Sequence, residues 1–470
     1  LLVAGGLMAV QAQDASVTVD ADQGDNIADG LEQLNTQLGN VGGTDGELVI
    51  LGNDYRNDGE VVLTEGPVGG SLSNIESLTI VASEDAGTQE VTVESIDYGS
   101  ANLASVSIES QNGGFIRVTD ETSGVPALDF QGDGAVSLDL VSSGVLRIAD
   151  GATVVRSGNA TFASGSADIQ YLGSGIPDLT YNLGGQSISA TAEFPSGGEV
   201  GTLDISNNAS GAGLSFPEAL SVNTSFSLPG SPADITVDGN FAIPNRYNAT
   251  NATTLAVEGD FTIESGNAVG LEFGSGAGSA GNTDVDVSGS LSVNNGGVLV
   301  SGGASDVLID VDGPVTVSGD VTNLPSGDLT RVNSGEFDVG SSSTDGFTTN
   351  GNVTVAGELD VAGDANIGNS NNGGVVTADG TFEVGGTLTI LDNNSGTALS
   401  TNGGTGSASG TNVDGASNVI RAQGEANVSL GDGTLAETDP EFNFSGLKAG
   451  MKSGVTVGAV TAAFTWVATL

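Results

Sequence analysis

One pattern narrows the possible folds of this chain more than any other: apolar, x, small apolar, x, Gly, x, apolar, often with a further apolar residue two places on. It recurs six times in the second half of the sequence. The copies are Ile235-Val237-Gly239-Phe241-Ile243, Leu255-Val257-Gly259-Phe261-Ile263 and Val285-Val287-Gly289-Leu291-Val293. They continue as Val315-Val317-Gly319-Val321, Val353-Val355-Gly357-Leu359-Val361 and Val376-Ala378-Gly380-Phe382-Val384. Alternation with a period of two is a strand signal. A glycine fixed between two such runs marks a bend, and the expectation is that it points inward where a side chain would strike the next layer. The copies start 20, 30, 30, 38 and 23 residues apart. That spacing fits neither a hexapeptide helix nor a nine-residue calcium roll. Irregular coils of roughly 20–30 residues fit an elongated right-handed parallel β-helix, or β-solenoid. Tandem β-sandwich domains are the alternative; they need about 100 residues per unit and more hairpin turns.

The same alternation runs through the first half, as in Leu48-Val49-Ile50-Leu51, Ser77-Leu78-Thr79-Ile80-Val81, Val91-Thr92-Val93 and Ser137-Leu138-Asp139-Leu140-Val141. Composition alone pulls the other way: aromatics make up 4% of the chain and the formal net charge is −50, both marks of disorder. Leu, Ile, Val and Phe nevertheless number 122 of 470 residues, above the level of roughly 20% at which charged chains stay unfolded. The chain reads as folded and all-β.

One helix interrupts the strands. Asp25 or Asn26 can cap it, Ile27, Leu31, Leu34 and Leu38 fall on one face, and Gly39 is placed to end it. A β-stack exposes an apolar cross-section at its end, and an amphipathic helix can cover it. Placed directly after the strand Ala15-Ser16-Val17-Thr18-Val19, this segment resembles the N-terminal cap of secreted right-handed parallel β-helices of the pectate-lyase and haemagglutinin type, found on bacterial surfaces. The resemblance implies a capped β-helix outside the cell.

Before the first strand, an apolar run of small residues ends in Val10-Gln11-Ala12 ahead of Gln13-Asp14. This matches the end of an export signal, with a retained apolar arm as the alternative. At the other end, Val460, Ala462, Phe464, Trp466, Ala468 and Leu470 alternate along a charge-free stretch that follows the chain's only two lysines, Lys448 and Lys452. The expectation is either a last core strand or a strand that pairs with another subunit, with Lys448, Lys452, Val460, Phe464, Trp466 and Leu470 at the contact. The chain thus divides into 1–12, signal remnant or arm; 13–46, strand and capping helix; 47–392, β-solenoid; 393–417, a Gly/Ser/Asn-rich linker or outward loop; and 418–470, a C-terminal segment with the terminal strand.

Histidine and cysteine are absent, which removes Ser-His-Asp catalysis, histidine- and thiolate-bound metals, and disulfides. An acidic surface repels nucleic acid. It also calls for screening cations, so calcium or other cations on the acidic surface are an expectation, with Asp284/Asp286 and Asp310/Asp312 as paired carboxylates on strand faces. Asp20, Asp22 and Asp25 do not follow the usual calcium-loop order. A polysaccharide-degrading enzyme needs only two carboxylates. Yet the single Trp lies in the tail, and the seven arginines, Arg56, Arg117, Arg147, Arg156, Arg246, Arg331 and Arg421, are scattered along the sequence. No catalytic residue is assigned. The sequence points to a structural subunit of an extracellular bacterial assembly (filament, tubular appendage, sheath or surface layer) that associates with itself, without nucleic acid, and with cell-surface or polysaccharide contact open. A surface adhesin or receptor-binding fibre is the alternative, and an enzyme the weaker third.

Overall fold

In a computed structural model the chain is an all-β, right-handed parallel β-solenoid with one helix, and its strand pairings are parallel throughout. Described are residues 14–457, apart from 21–24, 26, 52–60, 63–72, 84–89, 94–95, 98–104, 112–114, 119–125, 131–135, 142–145, 159, 165–168, 207–211, 229–232, 250–253, 275–284, 303, 305, 325–328, 369–374, 381, 391–396, 403–404, 414–418, 424–426, 431–433, 436–440 and 446–454. Two compact units emerge: Leu1–Gln186 with Ala190–Ser206, and Ser187–Ser189 with Asn207–Leu470.

In the N-terminal unit, Ala15–Asp20, Asp45–Leu51, Ser77–Ser83, Ser105–Gln111, Val136–Val141 and Ala160–Ser164 form one six-stranded sheet. Glu90–Val93, Phe115–Val118, Leu146–Ile148 and Ile169–Tyr171 form a second sheet. Strand alternation buries every other side chain. Val17, Val19, Leu48, Ile50, Leu78 and Ile80 all lie in the core, about 0.8 kcal/mol being gained for each methylene removed from water.

The helix α1 spans Ile27–Val41, and Ile27, Leu31, Leu34 and Leu38 are buried as the spacing predicts. It packs across the inner side of the first two strands. A Cβ on Gly46 would lie 2.8 Å from Leu34 Cδ2, and one on Gly30 would overlap Val19 Cγ1. Two details differ from expectation. Helix α1 does not stop at Gly39 but runs on to Val41; Gly42 then takes the left-handed conformation (φ 69°), and the amides of Gly42 and Gly43 both donate to Leu38 O at 2.9 and 3.2 Å. Gly39 instead makes room for Asn74, whose Nδ2 would sit 2.9 Å from a Cβ there. Asp25 Oδ2 accepts from the Asp20 amide at 3.2 Å; Asn26 lies outside the described residues.

In the C-terminal unit the glycine pattern stacks rung on rung. Ile235, Leu255, Val285 and Ile309 pair in sequence, and Val237, Val257, Val287 and Val311 form the next buried column. Beyond the bend, Phe241, Phe261, Leu291 and Val315 follow one another, with the Phe241 and Phe261 rings stacked at 5.1 Å. This register corrects the fourth copy. The segment aligned with the first three copies is Ile309-Val311-Gly313-Val315-Val317, whereas Val317-Gly319-Val321 is the following corner; the Ile309 column runs on through Val332 to Val355 and Ala378, the second apolar residues of the last two copies. Both corners carry the same Gly-x-apolar signature, so the sequence alone confuses them.

The glycines are needed for close approach along the stack, but they do not face the core, being half-exposed. A Cβ on Gly289 would lie 2.7 Å from the Gly259 carbonyl carbon, one on Gly313 2.7 Å from Gly289 O, and one on Gly380 2.9 Å from the Gly357 carbonyl carbon. Each glycine therefore meets the backbone of the preceding rung, and a methyl group there forces the rungs apart. The residue after the glycine has a second task. Asn240 Oδ1 accepts from the Asp260 amide at 2.9 Å, and Asp260 Oδ1 accepts from the Ser290 amide at 2.8 Å, tying three rungs at one corner.

The stretch 393–417, expected as a linker or loop, holds two strands instead. Thr397–Asn402 pairs with Val375–Ala378 and Val419–Gln423, and Thr405–Val413 pairs with Phe382–Ile390. A parallel ladder satisfies backbone groups whatever the side chains, so small polar residues carry it on to Val455–Val457.

Candidate binding site

The most elaborate polar arrangement among the described residues lies in the N-terminal unit, where the connection before Glu199–Ser206 folds back on its own coil. Two turns shape it. Phe194 N donates to Thr191 O at 3.0 Å and Gly198 N to Pro195 O at 2.9 Å, with Gly197 and Gly198 at φ 104° and 70°. These turns push Glu193 inward, where it is fully buried against Arg156 of the strand Thr153–Ser157.

Every oxygen of the Glu193 carboxylate has partners. Arg156 Nη1 and Tyr181 Oη donate to Oε1, and the Thr191 amide donates to Oε2 at 3.1 Å, while the Thr191 hydroxyl, 3.0 Å from Oε2, has Phe162 O as its nearer acceptor at 2.6 Å. Arg156 Nε donates to Ala160 O at 3.0 Å, its guanidinium lies 5.3 Å from the centre of the Phe162 ring, and Tyr171 Oη donates to Glu193 O. Burial, then the Glu193 charge, pushes both the Tyr171 and Tyr181 phenols well above their usual range, so both stay protonated donors. A buried ion pair completed in this way fixes a conformation; losing one partner leaves an uncompensated charge.

The loop so anchored forms one wall of a cavity of about 590 Å³. Pro195, Ser196, Gly197 and Glu199 line it together with Ile169, Gln170, Tyr171, Leu172 and Ile176. Sequence reading did not find this place, because its parts lie on three separate rungs. The only available signal was a lone Arg-Glu combination in a chain with few bases.

The arginines are less scattered in space than in sequence. Arg117 pairs directly with Arg147 on adjacent strands, Arg147 Nε donates to Gln170 Oε1 at 3.2 Å, and Arg246 forms an ion pair with Glu272. Of the residues expected at a subunit contact, Lys448, Lys452, Val460, Phe464, Trp466 and Leu470 all lie outside the described residues, as do 1–12, Asp22 and Asp284. Asp286 faces Asp310 on the neighbouring strand, and burial followed by the Asp310 and Asp312 charges raises its carboxyl above the usual value. Among the described residues no group of three or more carboxylates is arranged to hold a metal ion. No helix among them is long and apolar enough to cross a membrane.

No family model, curated protein or solved structure matches the chain.

Proposed function

We propose that this chain is a structural subunit of an extracellular bacterial assembly, such as a filament, tubular appendage, sheath or surface layer, and that it is not an enzyme. It reaches the exterior through an export signal and associates with further copies through the ends of its sheets and its C-terminal strand. One observation carries the reading. Ala15–Asp20 ends the six-stranded sheet and Glu441–Ser445 ends the twelve-stranded one, and among the described residues no strand covers their second edges. Such edges offer rows of backbone donors and acceptors to another chain, and a contact between two different edges repeats head to tail, giving a filament unless its rotation closes a ring.

The lateral surfaces support the same reading. Among the described residues only Val41 and Leu324 are large exposed apolar side chains, and they form no extensive apolar patch for association among those residues. The −50 charge keeps neighbours apart sideways except where salt or cations screen it. The test is electron microscopy of the purified chain beside a variant lacking 453–470. Polymers from the full chain and folded single particles from the variant fit the proposal. Single particles from both would remove it, and an unfolded variant would make the tail a core strand only.

A further inference from the structure

The geometry points to the Tyr171 cavity as a binding site for a neutral, hydroxyl-rich ring, such as the pyranose units of an uncharged glycan. This goes beyond the structural role and does not depend on it. The cavity, at about 590 Å³, lies within the range of small-ligand sites. Its lining offers complementary groups. Gln170 has its carbonyl oxygen engaged by Arg147 Nε, which leaves the amide nitrogen as the donor it can offer. Among the other lining residues, Glu199 supplies a carboxylate acceptor and Ser196 a hydroxyl. A sugar hydroxyl both donates and accepts, so a donor and an acceptor lining one cavity suit a ring carrying several of them.

The apolar part fits as well. Tyr171 uses its hydroxyl on the Glu193 carbonyl, so what it contributes to the cavity is ring surface, beside Ile169 and Leu172. Aromatic surface of this kind packs against the C–H side of a sugar. Charge selects among ligands. Glu199 lines the cavity and no basic side chain does, Arg147 being engaged on Gln170 behind the lining, so an anion in the cavity meets like charge first. A cation finds only one exposed carboxylate, an attraction that water and salt largely screen. Neutral ligands are left. The loop carrying Pro195, Ser196 and Gly197 is held by the buried Glu193–Arg156 pair, so little ordering has to accompany binding.

The experiment is calorimetry and saturation-transfer NMR on the full chain with cellotetraose, chitotetraose and maltotetraose as neutral probes, trigalacturonate as the anionic one and spermidine as the cation. At least one neutral probe is expected to bind more tightly than the other two classes. Gln170→Ala and Glu199→Ala, both at exposed positions, should each weaken it about tenfold, the effect of one lost hydrogen bond. Circular dichroism confirms that each variant is folded. Lack of binding by all neutral probes overturns the proposal. So does tighter binding of trigalacturonate or spermidine, or neutral binding that Gln170→Ala and Glu199→Ala leave unchanged.

Discussion

The carboxylate of Asp260 accepts hydrogen bonds from both the amide and the hydroxyl of Ser290, each at 2.8 Å, across thirty residues of sequence. These bonds hold its carboxyl below the usual value of 3.8. A lowered folded value means that the contribution is complete above the unfolded value of about 3.9 and is lost as pH falls through the folded one. Asp260→Ala should therefore lower Tm at pH 7, by the equivalent of about 1 kcal/mol given its exposure. Thermal melts of the two proteins should converge as pH falls through the lowered folded value.

Asp338 behaves in the opposite sense. It pairs with Asp360 on the next strand while Glu336 pairs with Glu358, and burial, then these like charges, raises its carboxyl above the usual value. A raised folded value means that the fold binds this proton more tightly than the unfolded chain does. The cost is complete above the folded value and is relieved as pH falls through it towards about 3.9. Asp338→Asn should raise Tm at pH 7, and the gain should fade in acid. A gain that persists at pH 3 would assign the effect to packing instead of charge.

Glycine packed against the backbone of the preceding rung should be irreplaceable, and glycine with open space around it should not. A Cβ on Gly357 would overlap Gly335 O, whereas one on Gly302 meets nothing within 4 Å. Gly357→Ala should cost about 1–3 kcal/mol in chemical denaturation, and Gly302→Ala should stay within about 0.5 kcal/mol. Equal effects would contradict the stacking role.

The buried pair in the N-terminal unit supplies a further contrast. Arg156→Met or Glu193→Leu alone should cost about 3–5 kcal/mol, because each strands a charge, and the double variant should cost less than either. Urea titration of the three variants decides it; a double variant that shows the sum of the two single losses would mean that the pair acts only through packing.

The repeat, the strand alternation and the Ile27, Leu31, Leu34 and Leu38 face were all readable in advance, because period and spacing are properties of the chain itself. What the sequence hid depends on which rungs meet. Gly313 and Gly319 look alike until pairing shows that they occupy different corners. Asp260 looks like one more surface acid until Ser290 lies above it. The strand Thr405–Val413 has little apolar content, since its order comes from backbone pairing with Phe382–Ile390. Glu193, Arg156 and Tyr171 converge from separate coils, and no local motif announces such a meeting.

Imaging of the purified full chain by electron microscopy, across protein concentration and from low to high salt, bears most directly on the assembly. Multimers joined end to end, lost when 453–470 is removed while the circular dichroism of the strands is kept, are the expected result. Isolated particles at every concentration and salt would contradict it.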